Sequence, residues 1–139
     1  MTTPSAITST SPCNVLLIDD DSEHLAFWSR TLRNRSSHYS VLKASSVEEG
    51  LEAFRAQKVD CVVLDLDFRD SSGFQFLLDV VPNRDRPEIA IVVLTRLFNP
   101  TLREMAVHNG AQAYLVKQST SADQLDKVIQ EPVSAVRTH

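Results

Sequence analysis

Cysteine is scarce. Cys13 and Cys61 are the only two, too few for a disulfide framework, and no Cys/His spacing suits a metal site. Cys61 opens an aliphatic run and reads as a small buried hydrophobe. The four histidines, His24, His38, His108 and His139, are scattered and share no i, i+4 face. An excess of positive charge is also missing. The formal net charge is −4, which argues against a nucleic-acid-binding surface as the main business, and Arg30, Arg33 and Arg35 read as a solvated helix end. No apolar run approaches the length of a membrane span. The opening MTTPSAITSTSPC lacks the basic start and apolar core of a signal peptide. Residues 1–13 read as a flexible tail, and a cytoplasmic location with no membrane partner is expected.

What is present is one core's worth of chain. At 139 residues, 42% apolar and 23% charged, the composition is that of a single globular domain. Short aliphatic runs alternate with amphipathic stretches. Residues 15–18, 61–64 and 89–94 are continuous apolar strands, which implies burial on both faces, 113–116 is the last strand, and 39–44 is a half-polar strand suited to a sheet edge.

Between the strands lie helices with recognisable ends. Asp21 or Ser22 caps a helix carrying Leu25, Trp28 and Leu32 inward. Ser46 to Glu49 forms a capping box ahead of Leu51 and Phe54, with Val47 on the same stripe. A second box at 72–75 precedes Phe74, Leu77, Leu78 and Val81, with Pro82 as the stop. Asn99-Pro100 starts the next helix and Asn109-Gly110 closes it. Ser121 caps the last helix, with Leu125, Val128 and Ile129 inward and Pro132 as its expected end. Strict alternation of five strands and five helices predicts an α/β domain over residues 14–131. Its sheet is mainly parallel with helices on both faces, and residues 132–139 form a C-terminal tail.

The strands end in polar residues. Asp19-Asp20, Asp65, Thr95 and Lys117 each follow an aliphatic run, so a parallel sheet brings all of them to its carboxyl edge, where ligands bind in such folds. Two like charges about 4 Å apart repel by roughly 4 kcal/mol at an effective dielectric near 20. A divalent cation, or a proton on one acid, relieves that cluster. Oxygen-only ligands suit Mg²⁺, and Lys117 and Thr95 suit phosphoryl oxygens. The combination favours phosphoryl transfer with a carboxylate nucleophile.

Two families use this set of groups. The haloacid-dehalogenase-like phosphatases match "LDLD", Thr95 and Lys117, with Asp67 as general acid. The segment after Lys117, however, offers only Asp123, Asp126 and Glu131, none at a strand end. By contrast "VLLIDDDSEH", "VVLDLDFRDSSG", "IVVLT" and "NGAQAYLVK" resemble, in order, the receiver domain of bacterial two-component response regulators. The resemblance covers residues 14 to about 131. It implies a flavodoxin-like fold with strand order 2-1-3-4-5 and Asp65 as phosphoacceptor. It also implies Mg²⁺ held by Asp20, Asp65 and the backbone carbonyl of Asp67, with Asp19 acting through water. Lys117 and Thr95 would bind phosphoryl oxygens, and Thr95 and Tyr114 would be the switch pair. The phosphoryl donor would be a sensor histidine kinase or a histidine phosphotransfer protein. The output would be a protein contact on the fourth helix, fifth strand and fifth helix, with no direct nucleic-acid binding. A binding-only pseudo-receiver is the competing class.

Three positions depart from the family pattern. Arg69 and Gln118 stand where prolines are usual, and Arg96 where a small residue is usual. Arg96 and Leu97 are expected either to screen an acyl phosphate partly from water or to influence partner choice, since this segment leads into the fourth helix. The C-terminal tail is too short for a DNA-binding module, so the expectation is a stand-alone receiver, a phosphorelay intermediate or a receiver from a hybrid kinase.

Overall fold

A computed structural model describes residues 12–66, 73–80, 89–96 and 98–137. In chain order the elements are β1 (Cys13–Ile18), α1 (Ser22–Arg35), β2 (Tyr39–Ala44), α2 (Val47–Ala56) and β3 (Cys61–Leu64). They continue with α3 (Gly73–Val80), β4 (Ala90–Thr95), α4 (Pro100–His108), β5 (Ala113–Val116) and α5 (Ala122–Arg137). All pairings are parallel and the strand order is β2-β1-β3-β4-β5. The parallel sheet is the one expected from the alternation of runs, and its strand order is the one the resemblance implies. The half-polar strand β2 lies at one edge.

Side chains alternate across each strand, and the two faces carry separate cores. Val15, Leu17, Val63, Val92 and Leu94 face Leu25, Trp28 and Leu32 of α1 and Leu125 and Ile129 of α5. Leu16, Ile18, Leu64, Ile91 and Val93 face Val47 of α2, Phe76 and Leu77 of α3 and Ala106 of α4. Gly50 lets α2 lie close on β1: a Cβ there would sit 2.6 Å from Ile18 Cδ1.

The helix ends follow their capping chemistry. Asp21 accepts from the Glu23 and His24 N–H groups, and Asn99 from those of Thr101 and Leu102. Gly110 takes φ 116° after α4, where a side chain would be strained. At α2 the box is shifted by one residue. Ser46 Oγ accepts from Glu49 N–H, but the Glu49 carboxylate accepts from the backbone and hydroxyl of Ser45, not from Ser46.

Other expectations need correction. Cys13 belongs to β1 and not to the tail, because its N–H pairs with His38 O at 2.8 Å. Helix α5 runs to Arg137 and is not ended by Pro132. A proline removes one N–H bond and crowds one carbonyl, and a helix with good turns on both sides can absorb that. Arg35 does more than solvate a helix end: it pairs with Asp123 at 3.0 Å and Asp126 at 3.3 Å. Phe76, absent from the expected stripe of α3, is among the largest fully buried side chains. The expected cap at Ser72, the side chains of Phe74 and Leu78, and Val81 and Pro82 lie outside the described residues. Among the described residues no helix is long and apolar enough to cross a membrane.

Candidate functional site

The carboxyl edge of the sheet gathers the expected groups through strand register. Ile18 lies opposite Leu64, so Asp19 and Asp65 leave adjacent strands side by side. Asp65 N–H donates to Ile18 O at 2.9 Å, and Asp19 N–H to Ala44 O at 3.1 Å, which extends the ladder one residue past each strand. Thr95 closes β4 opposite Val116, placing it beside the residue that precedes Lys117. Lys117 opens a 3₁₀ turn, Lys117–Ser119, directly after β5.

Lys117 ties the acids together. Its Nζ donates to Asp19 Oδ2 at 2.5 Å and to Asp65 Oδ2 at 3.0 Å. All three side chains are at most 8% exposed, so these are charge-assisted bonds largely shielded from water. Asp19 Oδ1 also accepts from Asp21 N–H at 2.9 Å. Burial pushes the Asp19 carboxyl above its ordinary value, and the Lys117 bond pulls in the opposite direction without cancelling that effect. Asp20, by contrast, is exposed.

Above these groups opens a cleft of about 480 Å³ whose lining includes Asp19, Asp20, Asp65, His24 and Arg96. Thr95 is fully buried at its base strand. Tyr114 is half-buried and packs against the α2–α4 side of the core. Burial raises its hydroxyl pKa, while a backbone hydrogen bond with Asn99, the cap of α4, works the other way.

The donors suit a small hard cation. Asp19, Asp20 and Asp65 offer carboxylate oxygen only, and the desolvated Asp19 is a carboxylate that neighbouring positive charge would relieve. Among the described residues no three acidic, thiol or imidazole groups form a metal cage by themselves. Mg²⁺ needs no such cage, because it keeps several waters and takes one or two carboxylates. Asp67, expected to add a backbone carbonyl, lies outside the described residues, as do Arg69 and Leu97.

His24 was not among the expected site residues. Its Nδ1 lies 2.8 Å from Lys117 Nζ and 3.9 Å from Asp19 Oδ2. Its partner lies 93 positions away in the chain, beyond any i, i+4 spacing. The available signal was its place in the first turn of the helix that Asp21 caps beside the acidic pair.

The response regulator receiver domain model matches residues 15–130. The chain belongs to the response regulator receiver domain family. It is 31% identical over 119 residues to the acid tolerance regulatory protein ActR of Rhizobium meliloti (strain 1021), covering 86% of this chain and 59% of that protein. The first curated relatives are longer: the chain spans 24% to 59% of their lengths. Among solved structures, a CheY-like receiver domain protein from Methanospirillum hungatei JF-1 superposes with a TM-score of 0.81. It is 22% identical, over 92% of this chain and 98% of that one, and so speaks for the fold. A response regulator protein from Burkholderia pseudomallei, solved with a phosphorylated aspartic acid, calcium ion and citrate, gives a TM-score of 0.75. It is 27% identical, over 91% of this chain and 71% of that one. The receiver belongs to two-component signalling.

Proposed function

We propose that Asp65 is the phosphoacceptor of this receiver, taking a phosphoryl group from a phosphohistidine on a sensor kinase or phosphotransfer protein. The observation that carries the reading is the buried Lys117 ammonium, held at once on Asp65 and Asp19 beneath an open cleft. A carboxylate oxygen of Asp65 attacks phosphorus, the N–P bond of the donor breaks, and the leaving imidazole takes up a proton. The product is an acyl phosphate. The Lys117 N–H that Asp65 holds turns to a phosphoryl oxygen as that carboxylate bonds phosphorus, and Thr95 offers its hydroxyl to another.

Asp20 and Asp65, with Asp19 through water and the Asp67 carbonyl, would hold Mg²⁺. When bound, that ion supplies positive charge against the phosphoryl oxygens. Thr95 and Tyr114 form the switch pair. A hydroxyl drawn toward the phosphoryl group leaves space beside β5 for the Tyr114 ring to turn inward, shifting an existing equilibrium. The surface that changes comprises α4, β5 and α5, and its reader is a protein. The relative from Burkholderia pseudomallei carries a phosphorylated aspartic acid, which favours this reading over a binding-only pseudo-receiver.

The test is intact mass after incubation with Mg²⁺ and acetyl phosphate. Gain of one phosphoryl mass is expected in the wild type. It should be lost in Asp65→Asn and on chelation. Trp28, which lines a small void beneath Asp19 and Asp65, should report Mg²⁺ by fluorescence. No mass gain from either acetyl phosphate or a phosphohistidine protein, with no Mg²⁺ response, would favour the pseudo-receiver.

A further inference from the structure

Lys117 serves three acceptors: Asp19 Oδ2 at 2.5 Å, His24 Nδ1 at 2.8 Å and Asp65 Oδ2 at 3.0 Å. A lysine ammonium has three N–H donors and no acceptor capacity. Each N–H therefore has one partner, and Nδ1 is the accepting nitrogen of the imidazole. The ring proton then sits on Nε2, which faces Asp21 Oδ2 at 3.6 Å. That separation is too long for a hydrogen bond but favourable in sign. The ring is fixed from its own helix as well, because Asp21 accepts the His24 N–H at 3.2 Å.

We propose that His24 is a positioning residue for Lys117: a neutral acceptor that orients the ammonium over Asp65 without cancelling its charge. The inference rests on Asp65 being the phosphoacceptor. During transfer two of the three acceptors change character. Asp65 gives up a carboxylate oxygen to phosphorus, and Asp19 adjoins the cation. His24 stands on α1, outside both changes, and keeps Lys117 aimed while they occur. A carboxylate in its place would also hold the ammonium, but it would neutralise the charge that the phosphoryl oxygens need. Lys117 is only 7% exposed, so an N–H that loses His24 is poorly served by bulk water.

The test compares wild type, His24→Leu, His24→Asn and Asp65→Asn with Mg²⁺ and acetyl phosphate. His24 is one-third exposed, so both of its variants should fold. Loss of one acceptor from a buried ammonium should lower the labelling rate at saturating donor about tenfold in His24→Leu. The donor concentration for half-saturation should hold within about twofold, since an orienting effect acts on the step and not on encounter. Asn, whose Oδ1 can reach the place of Nδ1, should restore the rate to within about threefold of wild type. Nitrogen-15 NMR supplies a readout that does not depend on labelling. Wild-type His24 should carry its proton on Nε2, and the Lys117 ammonium should give a slowly exchanging signal that broadens in His24→Leu.

A His24→Leu protein that labels at the wild-type rate would overturn the inference, and so would a wild-type ring protonated on Nδ1. If the wild type itself takes no phosphoryl group, it is the phosphoacceptor reading that fails. The tautomer and the ammonium signal would still decide whether His24 holds Lys117.

Discussion

The two edges of the sheet carry polar clusters of opposite character. At the amino edge, the Tyr39 hydroxyl donates to Asp126 and accepts from Gln130 Nε2 at 2.9 Å. Arg35 closes the group by pairing with Asp126 and Asp123 of the same helix. The Tyr39 hydroxyl has both roles filled, and the network ties β2 and the end of α1 to α5. At the carboxyl edge, one ammonium is divided between two buried carboxylates and an imidazole, beneath an open cleft. The first arrangement is complete as it stands. The second has two buried carboxylates sharing one ammonium, so like charge remains that a cation would relieve. The difference lies in charge: the amino-edge network joins a hydroxyl, an amide and a guanidinium to two acids at the surface, whereas the carboxyl edge leaves two buried carboxylates to one ammonium.

The sharpest way to break that comparison is to exchange the expected losses. Asp65→Asn should abolish labelling entirely. In Mg²⁺-free buffer it should not lower the melting temperature, because it removes one of two neighbouring buried charges while Lys117 keeps Asp19. A clear fall in melting temperature would show that the carboxyl edge is also a structural clamp. Tyr39→Phe should do the reverse. It leaves Asp126 and Gln130 without the hydroxyl and should cost about 1–2 kcal/mol, several degrees of melting temperature. Its labelling rate should stay at the wild-type value.

Alkaline pH sharpens the same contrast. Burial, together with the Asp126 bond, pushes the Tyr39 hydroxyl well above the ordinary tyrosine value of 10.0. A group that releases its proton first in the unfolded chain supports the fold below its unfolded value and loses that support as pH rises past it. Wild type should therefore lose stability relative to Tyr39→Phe above about pH 10. Denaturant midpoints of the two proteins, measured from pH 8 upward, should converge. Midpoints that stay parallel would place Tyr39 in a less protected setting.

These clusters also show what a linear sequence discloses. Asp19, Asp65, Thr95 and Lys117 were legible because each terminates an aliphatic run, and parallel register does the rest. Their convergence needed only strand direction, not side-chain detail. His24 and Tyr39 were not legible in the same way. Their partners, Lys117 and Asp126, lie 93 and 87 residues away on elements whose facing surfaces no local period defines. Local rules also fail where tertiary packing overrides them. Pro132 stands within α5, and Glu49 turns to Ser45 when Ser45 offers two donors in place of one. Phe76 fills the core beneath α2 and α3, where Phe54 meets it edge-on at 6.3 Å, a contact between two helices that neither stripe specifies alone.

Arg96 offers the smallest effect and the finest distinction. It lines the cleft together with Asp20, Asp65 and His24, immediately after the fully buried Thr95. Its position lets a long side chain lie over an acyl phosphate on Asp65 and exclude the water that would hydrolyse it. Being exposed, it can do this only part of the time. Arg96→Ala should therefore speed loss of the phosphoryl group by about threefold, a fraction of what a fixed buried group supplies, with no change in melting temperature. Arg96→Lys separates the two ways the side chain could act. A lysine keeps the charge but lacks the broad planar head, so a rate near that of the alanine variant assigns the protection to coverage. A rate near wild type assigns it to charge held against the phosphoryl oxygens. An alanine variant that dephosphorylates at the wild-type rate would remove Arg96 from the reactive edge altogether.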